Sequence, residues 1–186
     1  MIGGFSAGGL LALSLVQLPQ WAGKFKAVVS WYPKVDGTLT WAEQCSGVDA
    51  VDPKLRFFVP AIFWGAGRGV RLDDPLYSPA FMDMSLVPER LLVCAGREDI
   101  FCRESEGFVG RIVRERYGGV SEGEGGRVVA GGGKVVGWWV EGMGHTFTHK
   151  LPTGKTEAEK RLHKEKVDVV LDGVMGWIGD VFDGKI

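Results

Sequence analysis

Three residue types set at glycine-marked positions could carry chemistry in this chain. The first is a serine. Gly4-Phe5-Ser6-Ala7-Gly8-Gly9 fits the pattern G-x-S-x-G, in which a strand ends, the chain turns sharply and a helix begins, with the serine at the strained corner. Gly4 and Gly8 carry no Cβ, so strand and helix are expected to pass close to Ser6. The helix N-terminus would aim free backbone N–H groups, Ala7's first, at the place where an oxyanion forms. The second is Asp99, in the polar turn Arg97-Glu98-Asp99 after an apolar run, and the third is His145, in Gly142-Met143-Gly144-His145-Thr146-Phe147. These three suit acyl transfer. Ser6 Oγ attacks an ester carbonyl. His145 takes the serine proton and later gives it to the leaving alcohol. Asp99 holds the imidazole tautomer and stabilises the imidazolium.

Each residue also has a plainer reading: Ser6 as a helix N-cap, Asp99 as a turn residue or N-cap, His145 as a loop histidine. Glu98 competes with Asp99 for the acid's place. His149 and His163 fall in a polar segment and on a charged helix and read as solvated. His149 stands four residues from His145, a spacing that suits a metal pair on one helix face, but the intervening glutamate of HExxH is missing and no metal is expected. Cys45, Cys94 and Cys102 show neither CxxC nor zinc spacing. Cys94, inside an apolar run, reads as a small buried hydrophobe. This cysteine usage suits a reducing compartment and favours the cytoplasm. No cofactor is implied.

The elements that must position these residues alternate in type. From Ala7 to about Trp21 the chain is apolar on nearly all sides, as in a helix buried against a sheet, and Pro19 and Gly23 mark its end. Phe25–Trp31 reads as a strand, Arg90–Gly96 as the clearest strand, and Lys134–Glu141 as another. Between the last two, Phe101, Phe108, Val109, Ile112 and Val113 recur at helical spacing. A final helix runs from about Thr156 to Phe182, with Val167, Val170, Leu171, Val174, Ile178, Val181 and Phe182 as its apolar stripe. Strand, helix, strand is the crossover of an α/β fold, and Ser6, Asp99 and His145 each follow a strand's C-terminal end, where open parallel sheets build their sites.

Two stretches break the alternation. Residues 34–80 scatter Trp41, Phe57, Phe58, Ile62, Phe63 and Trp64 among prolines; this is too long and aromatic for a plain loop. It reads as a cap-like excursion over the sheet, with Trp41, Phe57, Phe63 and Trp64 as candidates for a substrate pocket, or else as a satellite core under a long loop. Residues 118–134 are rich in glycine and read as a flexible surface insertion.

Composition bounds the rest. The 186 residues form one domain or part of one. A net charge of −1 makes no electrostatic case for nucleic acid or anionic membrane. The first twenty residues lack the basic segment of a signal peptide, and the apolar run after Ser6 is too short to span a membrane. Only Met1-Ile2-Gly3 precede the serine motif, so the chain reads as the C-terminal part of a larger domain, with an N-terminally truncated parallel sheet of about four strands and a partial cap.

Four local motifs resemble one family. Gly4–Gly9 is similar to its GDSAGG elbow, with Phe5 where Asp is usual. Asp74-Pro75-Leu76-Tyr77-Ser78-Pro79 is similar to its D-P-x-x-S-P segment. Ala95–Phe101 resembles its G-x-x-D-x-L turn, and Gly142–Phe147 its G-x-x-H-x-F turn. The chain thus resembles the C-terminal part of the α/β-hydrolase fold-3 group, the esterases and lipases similar to hormone-sensitive lipase, in which the order is also Ser, Asp, His. The resemblance implies a serine carboxylester hydrolase acting on a small ester with Ser6, Asp99 and His145 as its triad. The family's HGGG loop, which supplies further oxyanion N–H groups, has no counterpart here. Two alternatives follow. One is a non-catalytic remnant or pseudoenzyme, self-associating through an exposed sheet edge. The other is an amidase, peptidase or deacetylase on the same scaffold.

Overall fold

The computed structural model describes residues 1–48, 69–150 and 154–186. Its centre is β3 (Leu91–Gly96), all six residues of which are buried. Beside it lie β2 (Val28–Trp31) and β5 (Val135–Val140), both parallel to it and also buried throughout. A strand covered on both faces has no polar side to present, which is why these segments are rich in Val, Leu and Trp, with Ser30 as their one polar side chain. β1 (Ile2–Phe5) pairs in parallel with β2, and β4 (Arg127–Ala130) pairs antiparallel with β5, so the order is β1-β2-β3-β5-β4. The outer side of β1 has no strand partner among the described residues.

The fifth strand, β4, adds an antiparallel edge to the four parallel strands, as many as expected, and it lies within the glycine-rich stretch. Its four residues are mostly half-buried, too short and too close to glycines for a period to register. Glycines 131, 132 and 133 all take positive φ and turn β4 into β5. Before β4, Gly118, Gly119, Gly123, Gly125 and Gly126 are likewise left-handed, so the connection from the preceding helix is a succession of turns.

Helix α1 (Ala7–Leu15) connects β1 to β2 and ends earlier than its apolar pattern suggests. A proline ring meets the carbonyl four residues back; Pro19 therefore stops the helix at Leu15, and residues 16–22 continue through turns such as Gln17 N–H to Ser14 O (3.1 Å). α2 (Trp41–Gln44) is one turn, closed by Thr40 and Glu43 in a capping box. α3 (Cys102–Tyr117) follows the turn after β3. α4 (Glu157–Phe182) starts on a second capping box, Thr156 with Glu159. It buries Val167, Val170, Val174, Trp177 and Val181, whereas Leu171 and Phe182 are exposed and fall outside the stripe. Its Trp177 donates to Gly133 O at 2.7 Å, tying the helix to the β4–β5 turn.

Of the 34–80 excursion, the two described ends meet each other, and Pro75 O accepts from Gln17 Nε2 (2.7 Å) just after α1. Val35 O accepts from Ala80 N–H (2.9 Å), and Gly37 N–H donates to Ser78 Oγ (2.7 Å). No helix among the described residues is long and apolar enough to cross a membrane.

Candidate active site

Ser6 stands between β1 and α1 with φ 53° and ψ −118°, a left-handed conformation that costs a residue with a Cβ. Its N–H donates to Trp31 O (2.8 Å), which fixes the corner to β2. A Cβ on Gly4 would collide with the backbone of Gly8, and one on Gly9 would come within 2.6 Å of Ser30 Oγ. A Cβ on Gly8 itself would meet nothing within 4 Å. The close approach thus rests on Gly4 and Gly9. Ala7 is the first residue of α1 and is exposed; its N–H has no acceptor within the helix.

Asp99 and His145 arrive from neighbouring strands. Gly96, the last residue of β3, is so close to the turn after β5 that a Cβ there would overlap Met143 O. Glu98 N–H donates to the same carbonyl at 2.9 Å. The two turns are thereby joined, and their side chains meet. Asp99 Oδ1 accepts from Phe101 N–H (2.9 Å) and Oδ2 lies 2.8 Å from His145 Nδ1. His145 Nε2 lies 2.9 Å from Ser6 Oγ. Three residues far apart in the chain form one hydrogen-bonded row. The Asp99 carboxylate is fully buried and the His145 side chain 12% exposed, while Glu98 is exposed and turned to solvent. With a proton on Nδ1 facing the carboxylate, Nε2 is the acceptor for the serine hydroxyl, an arrangement able to draw off its proton.

Aromatic rings enclose the imidazole. Tyr32 and Phe101 approach it edge-on, with centroids at 5.0 and 5.2 Å. Trp41 packs against the small cluster of Ile100 and Phe101. Phe57, Phe63 and Trp64 lie outside the described residues. Ser6, Tyr32 and Thr146 are the positive-φ residues other than glycine among those described, and all three border this site.

Several participants left little trace in the sequence. His149 is exposed, in keeping with its reading as solvated, yet has Nδ1 2.9 Å from the Tyr32 hydroxyl. His163 has Nε2 2.9 Å from Phe147 O. Behind Phe101, Lys34 and Glu104 form a buried pair at 3.6 Å, with side chains 3% and 1% exposed. Glu104 Oε1 accepts from Val35 N–H (2.8 Å), and Lys34 Nζ donates to Asp36 O (2.7 Å) and lies 5.6 Å from the Phe101 ring centre. Burial pushes the Glu104 carboxyl up to about 8 against the pull of Lys34, and burial pulls the Lys34 ammonium down. Only a pairing across 70 positions could have marked this site. Among the described residues no group of three or more His, Cys, Asp or Glu could hold a metal ion.

A sequence model of the alpha/beta hydrolase fold family matches residues 1–118. Solved structures share the architecture. The hormone-sensitive lipase from a metagenome library is 21% identical, with TM-score 0.56 over 92% of this chain and 53% of its own. Vibralactone cyclase is 16% identical, with TM-score 0.60 over 97% and 49%. EstE5-PMSF is 19% identical, with TM-score 0.56 over 91% and 51%. At these identities the likeness is one of fold, and the chain spans about half the length of each protein. No curated protein sequence matches the chain.

Proposed function

The chain belongs to the alpha/beta hydrolase fold family, and from that premise we propose that it carries the acyl-transfer site of a serine carboxylester hydrolase acting on small esters. The observation that supports this is the unbroken row from Ser6 Oγ through His145 to Asp99 Oδ2, with both hydrogen bonds under 3 Å. Ser6 Oγ adds to the ester carbonyl as its proton passes to His145 Nε2. The tetrahedral oxyanion takes a hydrogen bond from Ala7 N–H at the start of α1. Collapse expels the alcohol, which leaves with the proton from Nε2. Water, activated by the same imidazole, then releases the acid and restores the serine. Asp99 stays ionised and holds Nδ1–H throughout. Trp41, through Ile100 and Phe101, backs the apolar side of the site. An amide substrate would use the same steps with an amine leaving group.

A fluorophosphonate probe tests the proposal on the 186-residue chain. Labelling is expected in the wild type and absent in Ser6→Ala; labelling that persists in Ser6→Ala, or none in the wild type, sinks it. The outer edge of β1 favours a further property. It lies beside exposed Phe5 and Leu11, which are 43% and 67% accessible, and an uncharged open strand invites pairing with another copy. Self-association at that edge is part of this proposal.

A further inference from the structure

Tyr32 leaves β2 with φ 38°, yet its side chain is fully buried. That ring reaches two distant segments. It stands edge-on to His145, and its centroid lies 5.9 Å from that of Phe5 beside Ser6. Its hydroxyl lies 2.7 Å from Thr148 Oγ1 and 2.9 Å from His149 Nδ1, and those two atoms are 2.8 Å apart. The three polar atoms close a triangle over the turn that carries His145. The far end of that turn is held a second time, because the His149 ring meets Phe5 edge-on at 4.3 Å and 89°. The turn has need of such fixing: Thr146, next to His145, is left-handed at φ 63°. Burial pushes the Tyr32 phenol up to about 12, so it keeps its proton and supplies a donor to the triangle at neutral pH.

We propose that Tyr32 is a positioning residue for His145: its hydroxyl fastens Thr148 and His149, and so holds the imidazole at bonding distance from both Ser6 and Asp99. The catalytic consequence rests on the ester-hydrolase reading; the placement of His145 does not. Tyr32 touches no reacting atom. It acts by removing the alternative orientations that the turn would otherwise sample.

The test is Tyr32→Phe in the full chain, read by imidazole NMR and by hydrolysis of p-nitrophenyl acetate. The wild type is expected to show a downfield, slowly exchanging proton for His145 Nδ1–H against Asp99. In Tyr32→Phe that signal broadens or vanishes, and kcat falls about tenfold with KM unchanged, as expected for one lost hydrogen bond. Thr148→Val, which removes the partner instead, should produce the same spectroscopic change, and the double variant no further one. Should Tyr32→Phe fail to fold, Thr148→Val alone carries the test. A signal and kcat unchanged in the variants that fold would overturn the proposal, leaving Tyr32 a packing residue. So would a wild type without the resonance. A wild type that shows the resonance but no Ser6-dependent turnover refutes the ester reading alone, and the NMR comparison still decides the role of Tyr32.

Discussion

A side-chain carbon on Gly4 would overlap the backbone of Gly8, but one on Gly8 would meet open space. The two glycines of the serine motif are therefore not equivalent. Gly4→Ala should cost about 2 kcal/mol or more, since neither backbone can yield, and should abolish probe labelling at Ser6. Gly8→Ala should keep labelling and raise stability by about 0.5–1 kcal/mol, because alanine gives up less freedom in a helix. Thermal melts of the two variants side by side decide this.

Asp99 is buried and has both oxygens committed, one to Phe101 N–H and one to His145. Asp99→Asn keeps the shape but can turn an NH2 toward Nδ1, which favours the tautomer with its proton facing Ser6. The rate of probe labelling should fall by about 10,000-fold while the melting temperature changes little. Glu98→Gln, on the exposed neighbour, should leave the rate as it is.

The buried Glu104 makes stability depend on pH in a definite sense. Its carboxyl titrates near 8 in the folded chain and at about 4.3 when unfolded. A raised folded value stabilises below the unfolded one and loses that contribution as pH rises toward the folded one. The advantage of wild type over Glu104→Gln should therefore shrink between about pH 5 and pH 8. In Glu104→Gln the Lys34 ammonium loses the partner that holds it up, and a lysine lowered further by burial stabilises the variant as pH rises, in the same sense. Denaturant unfolding at the two pH values is the measurement.

Leu11 projects from α1 beside the open edge of β1 and is 67% exposed. Leu11→Lys should be nearly neutral for folding, within about 0.5 kcal/mol. It should lower the associated fraction seen by light scattering, because a charge there opposes edge pairing. An unchanged fraction would exclude this face as the contact.

Ser30 lies in β2, between β1 and β3, and its hydroxyl has no hydrogen-bond partner among the described residues. Leaving such a group buried costs about 1–3 kcal/mol. Ser30→Ala should thus raise the melting temperature, and a clear drop would mean that the hydroxyl is bonded.

Much of this site could be read from the chain because two of its three polar residues follow strands with clear apolar runs. β3 and β5 are buried on both faces, so Leu91–Gly96 and Val135–Val140 announce themselves, and Asp99 and His145 inherit their positions. Ser6 is marked by the glycines around it. Most of the misses share a physical cause, which is that nothing local determined them. β4 is an edge of four residues whose pairing, not its pattern, makes it a strand. Helix α1 is the exception, since the Pro19 ring that stops it at Leu15 is a local signal. The Lys34–Glu104 pair and the Tyr32–His149 contact join residues with no shared period; His149 is exposed, as its polar stretch suggests, and its contact with the tyrosine is what no local pattern could show.

The run of left-handed glycines between α3 and β4 separates Asp99 from His145 along the chain, while β3 and β5 align Leu91 with Val135 through Gly96 with Val140. Asp99 and His145 are thus held together by the sheet as well as by the peptide chain between them. A protease cut near Gly123–Gly126 would leave two pieces that keep every one of those pairings. Making the two pieces separately and mixing them tests whether that register alone can reunite them: return of probe labelling at Ser6 would report it.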